Sequence, residues 1–142
     1  MTIAQLIANR DVHVAFATIT MSVRDAVDLL SDKRIGALPV MDGHAIAGIL
    51  SERDVIRRLS EHGPALLDLT VGQIMTSPAI TVDPNTDILE ALGLMTQRRV
   101  RHLPVLKDGR MVDFISIGDL VKYRIDRIQG EADALRNYIQ MA

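Results

Sequence analysis

Two short runs carry the side chains that could do chemistry: Ser51-Glu52-Arg53-Asp54 and Ser116-Ile117-Gly118-Asp119. Each follows an apolar run and opens a helical pattern, so the carboxylate falls at a helix N-terminus beside free backbone N–H groups. A carboxylate in that place can accept from the two hydroxyls of a ribose. The N–H groups, a hydroxyl and a nearby cation can together hold a phosphate. The same Ser-x-x-Asp spacing also serves as a plain helix cap that needs no ligand. Its occurrence twice, in the same context, is what favours a ligand.

Cations flank both runs, differently placed. Arg53 lies inside the first motif, and Gly36-Ala37 precede Leu38-Pro39. The second motif has Gly118 inside it, and Arg101-His102 precede Leu103-Pro104. A planar guanidinium beside an imidazole suits phosphate oxygens; the alternative for each is a solvated surface charge.

Catalytic arrangements find little support. His102, Ser116 and Asp119 do not form a nucleophilic triad on this spacing. Ser116 and Asp119 share one helical turn, and no G-x-S-x-G elbow surrounds the serine. His13, His44, His62 and His102 are scattered without metal-ligand spacing. Neither G-x-x-x-x-G-K-[ST] nor G-x-G-x-x-G occurs, so a bound nucleotide would not be held by those loops. A non-enzymatic protein is the expectation.

The elements that position these residues repeat. Pro39 and Pro104, Ser51 and Ser116, and Asp54 and Asp119 all stand 65 residues apart. Val23, Ala26, Val27 and Leu30 form the apolar stripe of an amphipathic helix, opened by Ser22 and closed by Lys33 and Arg34. Ile88, Ala91, Leu92 and Met95 repeat that stripe at the same offset of 65, behind Asp87. Thr2-Ile3-Ala4-Gln5 and Thr70-Val71-Gly72-Gln73 both read as capping boxes, here 68 apart, so the link has gained three residues. Val12 to Ile19 and Ile80 to Val82 read as strands. Two further apolar runs surround a hairpin turn at Asp42-Gly43, and two more surround Asp108-Gly109. Glu61-His62-Gly63-Pro64 breaks the chain between halves. Each half is thus strand–helix–strand–strand–helix.

Past Asp119 the helical pattern continues. Val121, Ile125, Ile128, Ala132, Leu135 and Ile139 form a coiled-coil-like seam, weakened at Gly130. It reads either as a helix packing on its own domain or as one pairing across a homodimer.

Composition bounds the rest. The 142 residues suffice for a real core, and 48% are apolar. A net charge of −2 and 3% aromatic residues argue against a nucleic-acid partner or an anionic membrane surface. The lack of cysteine removes disulfides and thiolate metal sites. The first residues lack the features of a signal peptide, and no apolar run reaches membrane-spanning length. A cytoplasmic protein is the default expectation.

The doubled pattern, with Leu-Pro-Val, Gly-Ile-Leu-Ser-Glu-Arg-Asp and Ser-Ile-Gly-Asp-Leu, resembles the CBS (cystathionine β-synthase) domain. Two in tandem resemble a stand-alone bacterial CBS pair, or Bateman module. The resemblance implies an α/β fold of the α+β type: two β-α-β-β-α repeats about a pseudo-two-fold axis, plus a C-terminal helical extension. The expected divisions are 1–66, 67–128 and 129–142. Two clefts would lie between the repeats, and homodimers would be common. The implied ligands contain adenosine: AMP first, then NAD, ATP, ADP or S-adenosylmethionine. A target protein of unknown identity would respond.

By position, the resemblance gives Asp54 and Asp119 the ribose hydroxyls, and puts Ser51 and Ser116 near ribose or phosphate. Arg101 and His102 would meet phosphate. Thr18, Ile19, Thr20, Thr81 and Val82 would meet the base, and Gly36, Ala37 and Leu38 would line the first cleft. Pro39, Arg53, Leu103 and Pro104 complete the expected binding set. One departure stands out. Gly48 precedes the first serine by three residues, as in the family, whereas the second repeat has Asp113 there. A carboxylate in an apolar run is costly unless paired, so Asp113 needs solvent or a partner, or the second cleft is altered. A ligand-free dimeric scaffold is the rival reading.

Overall fold

The computed structural model describes residues 1–11 and 13–141. The chain opens with α1 (Ile3–Ile7) and β1 (Ala17–Thr18), followed by α2 (Val23–Lys33). The hairpin β2 (Ala37–Asp42) and β3 (Ala45–Ser51) leads into α3 (Glu52–His62). A 3₁₀ segment, Gly63–Asp68, links this half to α4 (Val71–Ile74) and α5 (Ile88–Arg98). The hairpin β4 (His102–Lys107) and β5 (Arg110–Ser116) then runs into α6 (Ile117–Met141).

Helix starts follow local chemistry. At α1, Thr2 and Gln5 form a reciprocal capping box, as do Ser51 and Asp54 at α3. Ser22 and Asp87 accept backbone N–H bonds at the starts of α2 and α5. Both of those helices end on an arginine in the left-handed region, Arg34 at φ 54° and Arg99 at φ 55°.

The strands differ from the sequence expectation. The run expected over 12–19 pairs only at Ala17–Thr18, parallel to Val40–Met41; Val12 lies outside the described residues. The run expected over 80–82 contracts to one parallel bridge, Val82 with Val105. Residues His13 to Phe16 turn to a cleft wall instead of a ladder. β-branched composition does not create a strand where no neighbouring edge offers partners.

The first hairpin turns at Gly43-His44 rather than Asp42-Gly43, because Asp42 already pairs with Ala45. Gly43 alone is left-handed there, at φ 62°, the type II′ pattern. In the second turn both Asp108 and Gly109 have positive φ, the type I′ pattern. Both hairpins carry a bulge at the same place, between Val40 and Met41 and between Val105 and Leu106. The pseudo-symmetry thus extends to backbone irregularities.

The hydrophobic cores exchange elements. Ile3 and Leu6 of α1 pack with Ile88, Met95, Leu103 and Leu120 of the second half. Val71 and Ile74 of α4 pack with Val23, Leu38 and Leu50 of the first. Backbone bonds fix the exchange: Ile3 N–H to the Thr86 carbonyl at 2.9 Å, and Val71 N–H to the Met21 carbonyl at 2.8 Å. Each half is closed by the short helix of the other, so the clefts between them have two-sided support.

Beyond Arg124, every described residue of α6 is exposed. The helix continues through Gly130. The seam residues Ile125, Leu135 and Ile139 are 59–64% exposed, so within this chain the helix packs on its own domain through Leu120 and Tyr123 but not beyond Arg124.

Candidate ligand-binding clefts

Both Ser-x-x-Asp junctions open onto clefts. At the first, Ser51 N–H donates to Asp54 Oδ2 at 2.9 Å and Asp54 N–H donates to Ser51 Oγ at 3.2 Å. The Ser51 hydroxyl also donates to Asp54 Oδ2 at 3.1 Å, and Thr76 Oγ1 donates to Asp54 Oδ1 at 2.9 Å. Asp54 is consequently buried. Its cleft, about 530 Å³, is lined by Ser51, Arg53, Asp54, Arg101 and His102 among others.

The second junction repeats the cap and changes the partner. Ser116 N–H donates to Asp119 Oδ2 at 2.8 Å, and Asp119 N–H donates to Ser116 Oγ at 3.1 Å. Arg10 takes the place that Thr76 has in the first cleft. Its Nη1 lies 3.3 Å from Asp119 Oδ2 and its Nε 3.5 Å from Asp113 Oδ2. This cleft is about 730 Å³, walled by His13 to Phe16, Phe114, Ser116 and Asp119.

Asp113 is buried and paired with Arg10. Burial pushes its carboxyl above the ordinary range, while the Phe114 N–H and Arg10 pull the other way. Gly48, its counterpart, has no room for a side chain. A Cβ there would lie 2.6 Å from the Thr76 carbonyl oxygen and 2.9 Å from Met75 Sδ. The segment after α4 closes directly on β3, with Ile49 and Thr76 exchanging backbone bonds of 2.9 Å. On the other side Arg10 stands over β5 instead.

His102 lies at the centre. It lines both clefts, as do Gly36 and Ala37. Its ring stacks on Phe114, with centroids 5.3 Å apart. Burial holds its pKa below the usual histidine value, partly offset by Asp119 and Glu52.

Of the residues expected from sequence, Gly36, Ala37, Ser51, Arg53, Asp54, Arg101, His102, Ser116 and Asp119 converge on these clefts. Leu38 and Leu103 are fully buried in the cores. Pro39 and Pro104 sit within the hairpins, opposite Ile49 and Phe114. Thr18, Ile19 and Thr20 lie in and after β1, outside both linings. Thr81 and Val82 border a separate hollow with Glu90 and Gln97. Sequence reasoning missed Arg10, Thr76, Phe114 and the arginines at 57, 98 and 99. Arg57 had a signal, one turn after Arg53 on the same helix face; Arg10 had none.

The model of the CBS domain matches residues 6–61 and 71–126. The chain belongs to the CBS-domain family, as a tandem pair. It is 40% identical over 124 residues to the mitochondrial CBS domain-containing protein CBSX3 of Arabidopsis thaliana, covering 84% of this chain and 60% of that one. The chain therefore spans about three-fifths of that relative's length. A solved CBS-domain structure from Burkholderia ambifaria is 40% identical with a TM-score of 0.83, covering 89% of this chain and 95% of that one. CBSX2, solved in complex with AMP, is 25% identical with a TM-score of 0.74, covering 88% and 96%. No helix among the described residues is long and apolar enough to cross a membrane.

Proposed function

We propose that this CBS pair is a non-enzymatic sensor whose clefts bind adenosine-containing ligands, AMP first among them, then NAD, ATP or ADP. One observation carries the reading: two pseudo-symmetric aspartates, each at a helix N-terminus, each open onto a cleft of nucleotide size between the halves. Asp54 and Asp119 take ribose hydroxyls, Ser51 and Ser116 stand beside them, and Arg101 with His102 meets phosphate. The AMP complex of CBSX2 supports the ligand class. Units 1–66 and 67–128 act as the two halves of the sensor. The extension 129–142 pairs across a homodimer in the cytoplasm and passes the ligand-dependent shape to a target protein.

The test is calorimetric titration of the full chain with AMP, ATP, ADP and NAD. Binding by at least one, lost in the Asp54→Ala, Asp119→Ala double variant while both proteins melt cooperatively, supports the sensor. Failure of all four, with protein free of co-purified nucleotide, favours the scaffold reading. That second reading has its own observation: Asp54 and Asp119 already have intramolecular partners in Thr76 and Arg10.

A further inference from the structure

The Ser51/Asp54 cleft is lined by five arginines. Arg53 and Arg57 lie one turn apart on α3. Arg98 and Arg99 end α5, and Arg101 leads into β4. All five are exposed. Among the described residues none has a carboxylate within 4.0 Å, although ion pairs form elsewhere in the chain. Asp54, a buried carboxylate of the same lining, is committed to Ser51 and Thr76. Glu52 also lines the cleft and offsets part of this charge.

The counterpart cleft lacks this cluster. The residues 65 earlier or later are Gly118, Lys122, Lys33, Arg34 and Gly36. Of the cations among them only Lys33 and Arg34 line the cavity. Its remaining guanidinium, Arg10, is paired with Asp113 and Asp119. The arginine excess is therefore a property of one cleft.

Like charges gathered around one cavity raise each other's energy unless an anion lies between them. One phosphate offers too few oxygens for five guanidinium forks, each able to hold two. We propose that the Ser51/Asp54 cleft selects a chain of two or more phosphates, as in a nucleoside di- or triphosphate, so that the order with AMP first is left to the Asp119 cleft. The nucleoside part of this ligand rests on the adenylate reading above; the phosphate chain does not. Arg53 reaches from the first half to within 3.5 Å of the Arg99 carbonyl in the second. A phosphate chain bridging Arg53 and Arg101 would tie the halves together, which gives the cleft a means of reporting its occupancy.

The experiment is calorimetric titration with metal-free ATP, AMP and inorganic tripolyphosphate. The proteins are the wild type, the Arg53→Ala, Arg101→Ala double variant and an Arg24→Ala, Arg136→Ala control with the same charge loss at exposed positions. Melting curves check that each is folded. The expected result is ATP binding at least about ten-fold tighter than AMP, with tripolyphosphate competing for the same site. The double variant loses that preference and the tripolyphosphate binding, and the control keeps both. Should the double variant melt early, Arg53→Lys, Arg101→Lys replaces it; this keeps the charge, loses the fork and lowers the preference part-way. An ATP-to-AMP ratio unchanged in the double variant overturns the proposal while leaving adenylate binding intact. An equal loss in the control overturns it as non-specific charge attraction. Tripolyphosphate binding without either nucleotide overturns the adenylate reading and leaves the phosphate-chain site standing.

Discussion

The two clefts are built on one backbone plan, with the same caps, bulges and offset, yet their aspartates face different chemistry. Asp54 meets a neutral hydroxyl, that of Thr76, in a cleft lined by five arginines that have no carboxylate within 4.0 Å among the described residues. Asp119 meets a cation, Arg10, which a second carboxylate holds in place. The difference in partner goes with position 48 against position 113. Glycine lets the segment after α4 lie on β3. Aspartate at the equivalent place on β5 recruits Arg10 instead. The duplicated fold thus differs in the partner of its aspartate at this position, and in its arginines at others.

The sharpest way to break the comparison is to give position 48 a side chain. Gly48→Ala places a Cβ 2.6 Å from the Thr76 carbonyl oxygen, which belongs to the backbone and cannot rotate away. The expected loss is about 1–3 kcal/mol, the usual range for overpacking, read from urea denaturation. The Thr76 bond to Asp54 should go with it. A variant as stable as the wild type would show that the segment over β3 yields freely, and the two clefts would then not be distinguished by this contact.

Much of this was legible in the sequence because it is local. Ser22, Ser51, Asp87 and the two Thr-x-x-Gln boxes act within one helical turn, so spacing alone gives them. The apolar stripes at Val23–Leu30 and Ile88–Met95 likewise name the core faces. The strands that the sequence suggests over 12–19 and 80–82 pair only at Ala17–Thr18 and Val82, because pairing depends on an edge far away in sequence. The first turn lies one residue beyond Asp42-Gly43, since register is set by the partner strand and not by the dipeptide. In the clefts, the motif residues were visible and their partners were not. Arg10 reaches Asp119 only because α1 packs in the opposite half, and no spacing rule anticipates that exchange.

A smaller effect separates the caps. Ser51 Oγ both accepts from the Asp54 N–H and donates to its carboxylate, whereas Ser116 Oγ only accepts from the Asp119 N–H. Ser51→Ala and Ser116→Ala should each cost about 1 kcal/mol as lost N-caps, with the larger loss at Ser51. Denaturant midpoints measured side by side decide the order. Equal losses would mean that the extra hydroxyl bond at Asp54 contributes nothing net.

The smallest effect concerns Asp113, because its Arg10 pairing opposes its burial. Its folded-state pKa lies above the unfolded value, with desolvation as the leading cause. A group shifted in this direction favours the fold while protonated, below its unfolded pKa of about 4. That contribution is lost as pH rises through the folded pKa. Asp113→Asn removes the titration and keeps the shape. The difference in melting temperature, Asn variant minus wild type, should therefore become more positive as pH rises from about 4 through the folded pKa and level off above it. The slope stays shallow because the ion that forms is met by Arg10 and the Phe114 N–H. Gly48, which titrates nothing, predicts no such trend in the first half. A difference that stays flat with pH would mean that the Arg10 contact fully offsets the burial of Asp113. A difference that turns more negative as pH rises would make the pair a net stabiliser of the second cleft.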